Sequence, residues 1–246
     1  MDFDLQKRAA KINNILLTKG VKTAPIMRVG VALDISGSME HIIRTGALQA
    51  AFDQLMGVSV KFDDNGELDV FKFDTHCEYV GTSKPEKGDY DQYIRKNRIE
   101  PRGGTAYAPI VHETMKFFFG HDTGTAPKKS FFGGLFGKSA EPAANTDDTP
   151  VLMMVLTDGE PGDAREAMQA LRAAENESIY FHMVGIGGTR KNFPTIAKLA
   201  DDLDNVGEVY FPKLHMSDEE IYDQLICDEL IQFVAKHAPT ARSATA

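Results

Sequence analysis

Tryptophan is missing from this 246-residue chain, and cysteine is nearly so, with Cys77 and Cys227 alone. Two lone thiols offer neither a disulfide framework nor the paired spacing of a zinc site. Both read as small buried hydrophobes, and a chain this poor in cysteine suits a reducing, cytoplasmic setting. Long apolar runs are missing as well: none approaches the ~18 residues of a membrane-spanning helix. The opening Met1-Asp2-Phe3-Asp4 lacks the basic start and apolar stretch of a signal peptide. Positive charge is in short supply. With 27 Lys and Arg against 36 Asp and Glu, the net charge is −9 and the isoelectric point about 5.3, which argues against a nucleic-acid partner. An acidic surface fits a cation site, though solubility explains it equally well. There is no Gly-x-Ser-x-Gly elbow and no Walker-type phosphate loop. The seven histidines are scattered. His76 beside Cys77 has no companion ligands, and His182 inside an apolar run reads as a satisfied core residue.

The 42% of apolar residues suffices for the core of one large domain, or of one domain with extensions. Leu5, Ala9, Ile12 and Leu16 predict a helix over 3–18, so residues 1–20 read as an N-terminal helical extension of a domain spanning 25–236. Ile26 to Leu33 reads as a buried strand. Met39 to Met56 reads as one helix ended by Gly57, with apolar rows Ile43, Ala47, Ala51, Leu55 and Leu48, Phe52, Met56. Asp63-Asp64-Asn65-Gly66 is a turn signal. Leu68 to Phe73 and Cys77 to Val80 predict two antiparallel strands around Asp74-Thr75-His76, where Asp74 reads as turn chemistry. A short helix is expected over Tyr90 to Lys96, and another from about Ala106 with Pro109 in its first turn.

Residues 120–150 lose periodicity and read as a mobile insertion carrying the apolar run Phe131 to Phe136. Val151 to Leu156 and Ile179 to Ile186 are continuously apolar, as in parallel strands covered on both faces. Asp163 with Glu166 and Ser217 with Glu220 read as capping boxes. A short helix over Phe193 to Ala200, a strand over Val206 to Phe211 and a final helix carrying Ile221, Leu225, Leu230 and Val234 follow, and 237–246 read as a flexible tail. This alternation predicts an α/β fold: a Rossmann-like, doubly wound, mostly parallel sheet with one antiparallel edge strand and helices on both faces.

Three of the expected strand ends carry oxygen groups. Asp34-Ile35-Ser36-Gly37-Ser38 follows the first strand, Gly103-Gly104-Thr105 lies in a flexible loop, and Thr157-Asp158-Gly159 follows a later strand. In open α/β sheets such turns share the edge where ligands bind. Asp34, Ser36, Ser38, Thr105 and Asp158 are thus candidate ligands of a hard cation, Mg2+ first and Mn2+ or Ca2+ after it, which prefer oxygen donors. Hydroxyls coordinate without neutralising, so two carboxylates leave the ion electrophilic. Glu160 reads as a solvated loop residue. A helix cap at Met39 is the bland alternative, since Ser is a common N-cap.

Taken together, Asp-x-Ser-x-Ser, the distant Gly-Gly-Thr and Thr-Asp-Gly resemble the von Willebrand factor A domain with its metal-ion-dependent adhesion site, over roughly 25–236. The resemblance implies that the same five residues form the metal shell, that Asp34 and Asp158 often act through waters, and that a partner's Glu or Asp completes the coordination. Val29 to Asp34, Phe62 to Gly66, Leu68-Asp69-Val70, Thr157 to Pro161 and the N-terminal helix with Leu16-Leu17 resemble the stand-alone bacterial A domains of the TerF-like tellurium-resistance group. That resemblance implies toxic-ion, stress or phage-defence contexts. The leading expectation is therefore a protein-binding module and not an enzyme. A metal-dependent phosphohydrolase or transferase is the runner-up, and metal sensing is third. Phe131–Phe136 reads as a mobile loop or partner contact ahead of a membrane contact, with Lys128, Lys129 and Lys138 as its only basic flank.

Overall fold

Continuous apolar runs lay down the central strands of the sheet, and apolar residues with a period near 3.6 cover it. The computed structural model describes residues 2–121, 149–213 and 216–237. Helix α1 (Phe3–Thr18) buries Leu5, Ile12 and Leu16. Strand β1 (Arg28–Asp34) is followed by a single 3-10 turn, α2 (Glu40–Arg44) and α3 (Ala47–Phe62). Next come β2 (Leu68–Phe73), β3 (Cys77–Ser83), the short α4 (Tyr93–Lys96) and α5 (Ala108–Phe119). The chain continues through β4 (Val151–Thr157), α6 (Ala164–Ala173), β5 (Ile179–Ile186), α7 (Pro194–Asp202), β6 (Val206–Phe211), α8 (Asp218–Leu225) and α9 (Asp228–His237).

The six strands lie in the order β3-β2-β1-β4-β5-β6. Every neighbouring pair is parallel except β2 with β3. The expected α/β class, with its antiparallel edge strand and two helical layers, is the observed one. Alternation divides the side chains between two cores. Leu152, Met154 and Leu156 of β4 meet α1, α3, α8 and α9 on one face, while Val151, Met153 and Val155 meet α5, α6 and α7 on the other.

Several expectations are corrected. The first strand begins at Arg28, not Ile26, whose side chain is exposed. The helix expected from Met39 to Met56 is broken at Thr45-Gly46, where Gly46 takes a left-handed φ of 79°. Gly57 does not end α3, which runs on to Phe62. Instead α1 and α8 approach at Gly57: an added methyl would lie 2.5 Å from the Tyr222 hydroxyl oxygen and 2.8 Å from Arg8 Cβ. The final helix is two, α8 and α9, separated at Ile226-Cys227. Both cysteines are half-buried and unpaired. Most of the insertion expected at 120–150, including Phe131–Phe136, and the tail from 238 lie outside the described residues. Among the described residues, no helix is long and apolar enough to cross a membrane.

Candidate metal centre

β1 and β4 are adjacent, yet the chain leaves them in opposite directions, towards β2 and towards β5. This is the topological switch point, where the carboxyl ends of the strands open a crevice. Asp34 closes β1 and is fully buried. Its Oδ1 accepts the Ser36 N–H at 2.7 Å and its Oδ2 accepts the Thr157 hydroxyl at 2.6 Å. The Ser36 and Ser38 hydroxyl oxygens are 3.1 Å apart, and the Ser38 hydroxyl donates to Asp158 Oδ1 at 2.7 Å. The first and third loops are therefore joined twice through side chains.

Thr105 arrives from the loop between α4 and α5, and not from a strand end as expected. A methyl added at Gly159 would lie 3.7 Å from Ser38 Oγ and 3.8 Å from Thr105 Oγ1, so both hydroxyls border the same glycine. Backbone bonds fasten the three loops: Gly37 N–H to Gly103 O at 3.0 Å, Arg102 N–H to Ile35 O, and Gly162 N–H to Thr105 O at 2.9 Å. The structure thus brings Asp34, Ser36, Ser38, Thr105 and Asp158 together. Burial grades outward from Asp34 and Ser36, both buried, to the exposed Ser38.

The electrostatics are those of an acidic crevice. Burial pushes the Asp34 carboxyl up to about 6, against hydrogen bonds from Thr157 and Ser36 that pull it down; the charge of Asp158 adds to the rise. Burial also raises Asp158. Among the described residues, neither carboxylate is paired with a Lys, Arg or His. Two nearby carboxylates without a counter-charge favour a bound cation. Their companions here are hydroxyls, an all-oxygen donor set suited to a hard divalent ion. No group of three His, Cys, Asp or Glu among the described residues could hold a metal, so any site here needs its hydroxyls.

Residues outside the expected five support them. Thr157 was legible from strand parity, since it ends β4 on the face to which Asp34 turns. Asp163 was misread: its side chain does not cap its own helix. Its two oxygens accept the N–H groups of Tyr107 and Ala108, each at 2.8 Å, at the start of α5. A capping box needs a free carboxylate, and this one is used across the loops, binding the third loop to the segment that carries Thr105. The Tyr107 hydroxyl donates to Gly159 O at 2.8 Å. Asp74 does the turn chemistry expected of it, accepting the His76 N–H at 2.8 Å, and also pairs with Arg102 Nε at 2.8 Å. Glu160 is exposed and accepts the Thr195 N–H at 3.1 Å. His182 is buried as expected but not satisfied, for neither ring nitrogen has a hydrogen-bond partner.

Comparison with known proteins agrees with the fold. A family profile described as vWA-TerF-like, the vWA found in the TerF C terminus, matches residues 26–241. "Uncharacterized protein YcbR" of Bacillus subtilis (strain 168) is 26% identical over 234 residues, covering 92% of this chain and 84% of that protein. Among solved structures, proximal thread matrix protein 1 from the mussel byssus "with zinc occupied MIDAS motif" superposes with a TM-score of 0.54 at 16% identity. The match covers 85% of this chain and 48% of that one, so this chain spans about half the length of that relative. Manganese-loaded TRAP protein of Plasmodium vivax superposes with a TM-score of 0.52 at 12% identity, covering 83% of this chain and 73% of that one.

Proposed function

The chain belongs to the TerF-like family of von Willebrand factor A domains, and on that premise we propose that it is a divalent-cation-dependent protein-binding module that recruits an acidic group of a partner protein. The observation that carries this reading is the convergence of Asp34, Ser36, Ser38, Thr105 and Asp158 at the switch point, with one buried and one half-buried carboxylate that lack a cationic partner among the described residues.

A bound Mg2+, Mn2+ or Ca2+ ion would be held by Asp34, Ser36, Ser38, Thr105 and Asp158 and would supply attraction for an Asp or Glu of the partner. Asp34 and Asp158 would contribute the negative charge that holds the cation. Ser36, Ser38 and Thr105 offer oxygens without further charge, so attraction for an external carboxylate remains. Thr157 and Asp163 keep the loops in register. The zinc and manganese named for the mussel and Plasmodium proteins support a divalent ion as the class of occupant. Binding is favoured over catalysis because the Ser36 and Ser38 hydroxyls bond to each other and to Asp158, and among the described residues not to a histidine or lysine that would activate them. The TerF-like membership supports a cytoplasmic stress or tellurium-resistance setting in a bacterium or phage.

Calorimetric titration with Mg2+, Mn2+ and Ca2+ tests the metal. Wild type is expected to bind at least one of them, and Asp34→Ala to lose at least about tenfold in affinity. Equal binding by both proteins would reject the site. Partner capture from lysate should be lost in EDTA.

A further inference from the structure

Beside the oxygen cluster lies a groove with basic side chains on its walls. α6 starts directly after Asp163 and α7 starts at Pro194, so both helices begin at the carboxyl edge of the sheet. The Glu160 contact to the Thr195 N–H ties the third loop to the start of α7. Between the two helices lies a groove of about 560 Å³. Its walls carry Arg165 and Arg172 from α6 and Lys198 from α7, with Met168 and Leu199 as apolar surface between them. Among the described residues no Asp or Glu lines it, in a chain where acids outnumber bases 36 to 27. Arg165 has no hydrogen bond or ion pair among the described residues. Arg172 rests against the Met168 sulfur at 3.8 Å. Lys198 is held by Asp202 at 2.7 Å in an exposed pair, which is easily exchanged in water.

We propose that this groove is the second half of the partner site and takes an extended acidic peptide segment. One carboxylate of the segment sits at the oxygen cluster, and its following Asp and Glu residues run between α6 and α7. The ten-residue α6 is about 15 Å long, enough for four or five extended residues at roughly 3.3 Å each. The cations along the walls meet the acidic side chains, and an apolar side chain between them meets Met168 and Leu199. A nucleic acid would require a broad basic face, which a net charge of −9 opposes. This inference rests on the metal-dependent reading of the oxygen cluster for the first carboxylate, while the groove contacts stand apart from it.

The test uses the full chain and a fluorescein-labelled synthetic peptide, Glu-Asp-Leu-Glu-Asp-Leu-Glu-Asp, followed by fluorescence anisotropy in Mg2+. The double variant Arg165→Glu/Arg172→Glu is expected to lose about tenfold or more in peptide affinity, since charge reversal turns attraction into repulsion. Arg165→Gln/Arg172→Gln should lose less, in the same direction, which separates the charge effect from a folding defect. Lys22→Glu, on the opposite edge of the sheet, should change nothing. Mn2+ titrations should match wild type in all these variants. Wild-type affinity in the double Glu variant, or no peptide binding by wild type, overturns the groove. Displacement of the peptide by an equal concentration of oligo-dT reassigns it to nucleic acid and also overturns the proposal. If Mn2+ fails to bind wild type while the double Glu variant still loses the peptide, the metal reading falls and the groove stands.

Discussion

His182 holds a polar ring in a place where nothing answers it. The residue lies mid-way along β5, paired in register with Met154 on one side and Gly207 on the other, and is fully buried. Its ring meets the Tyr180 ring edge-on at 5.6 Å, a contact that satisfies neither nitrogen. Burial pulls its pKa from the ordinary 6.5 down to about 4. The folded ring thus stays neutral while the unfolded ring takes a proton below 6.5. Stability present above that value is lost progressively as pH falls towards 4. A depression of this size corresponds to about 3 kcal/mol. His182→Leu is expected to lose this slope. Urea unfolding of both proteins near neutral pH and at about pH 4.5 measures it, and identical slopes would show that the ring does not drive acid sensitivity. Asp34 differs from His182 although both are buried polar groups. Asp34 is reached by Thr157 and Ser36, and it was legible in the sequence because it sits in a motif at a strand end. An isolated histidine in an apolar run carries no such signal, and whether a donor reaches it depends on side chains from other elements.

Helices and strands followed their periodicity, and the departures came where a local signal competed with packing. Gly57 looks like a helix stop because glycine is a poor helix former. In α3 it lies against Arg8 of α1 and Tyr222 of α8, whose hydroxyl donates to Gln54 O at 2.9 Å. Gly57→Ala therefore sets a helix-propensity gain of about 1 kcal/mol against overpacking of about 1–3 kcal/mol. Tyr222 is fully buried and anchored, so overpacking wins and the variant is expected to be less stable in urea denaturation. A rise in stability would mean that α1 and α8 move apart at little cost. The capping boxes show the same competition. Ser217 and Glu220 bond reciprocally as the motif predicts. Asp163 and Glu166 have the same spacing, but the Asp163 carboxylate is taken by α5.

At the scale of the molecule, α1 is part of the main core. Leu5, Ile12 and Leu16 share a cluster with residues of β1, α3, α8 and α9. Arg8 Nη1 donates to Asp53 O at 2.7 Å, and Lys11 and Lys19 pair with Asp218 and Asp228. Burying three such side chains contributes about 1.5–3 kcal/mol each, a sum comparable to the whole net stability of a domain. Removal of residues 2–18 is therefore expected to abolish cooperative melting followed by circular dichroism. A sharp transition close to that of the full chain would make α1 dispensable. The sequence by itself determined the α/β class, the antiparallel edge and the oxygen groups at two strand ends, those of β1 and β4. It could do so because side-chain period and turn chemistry act over a few neighbouring residues. Tertiary structure alone decided that Asp163 serves α5, that α1 and α8 meet at Gly57, that His182 lacks a partner, and that Arg165, Arg172 and Lys198 share a groove beside the oxygen cluster. Each of these depends on how closely elements distant in sequence approach one another, and that spacing is set by packing the whole chain at once.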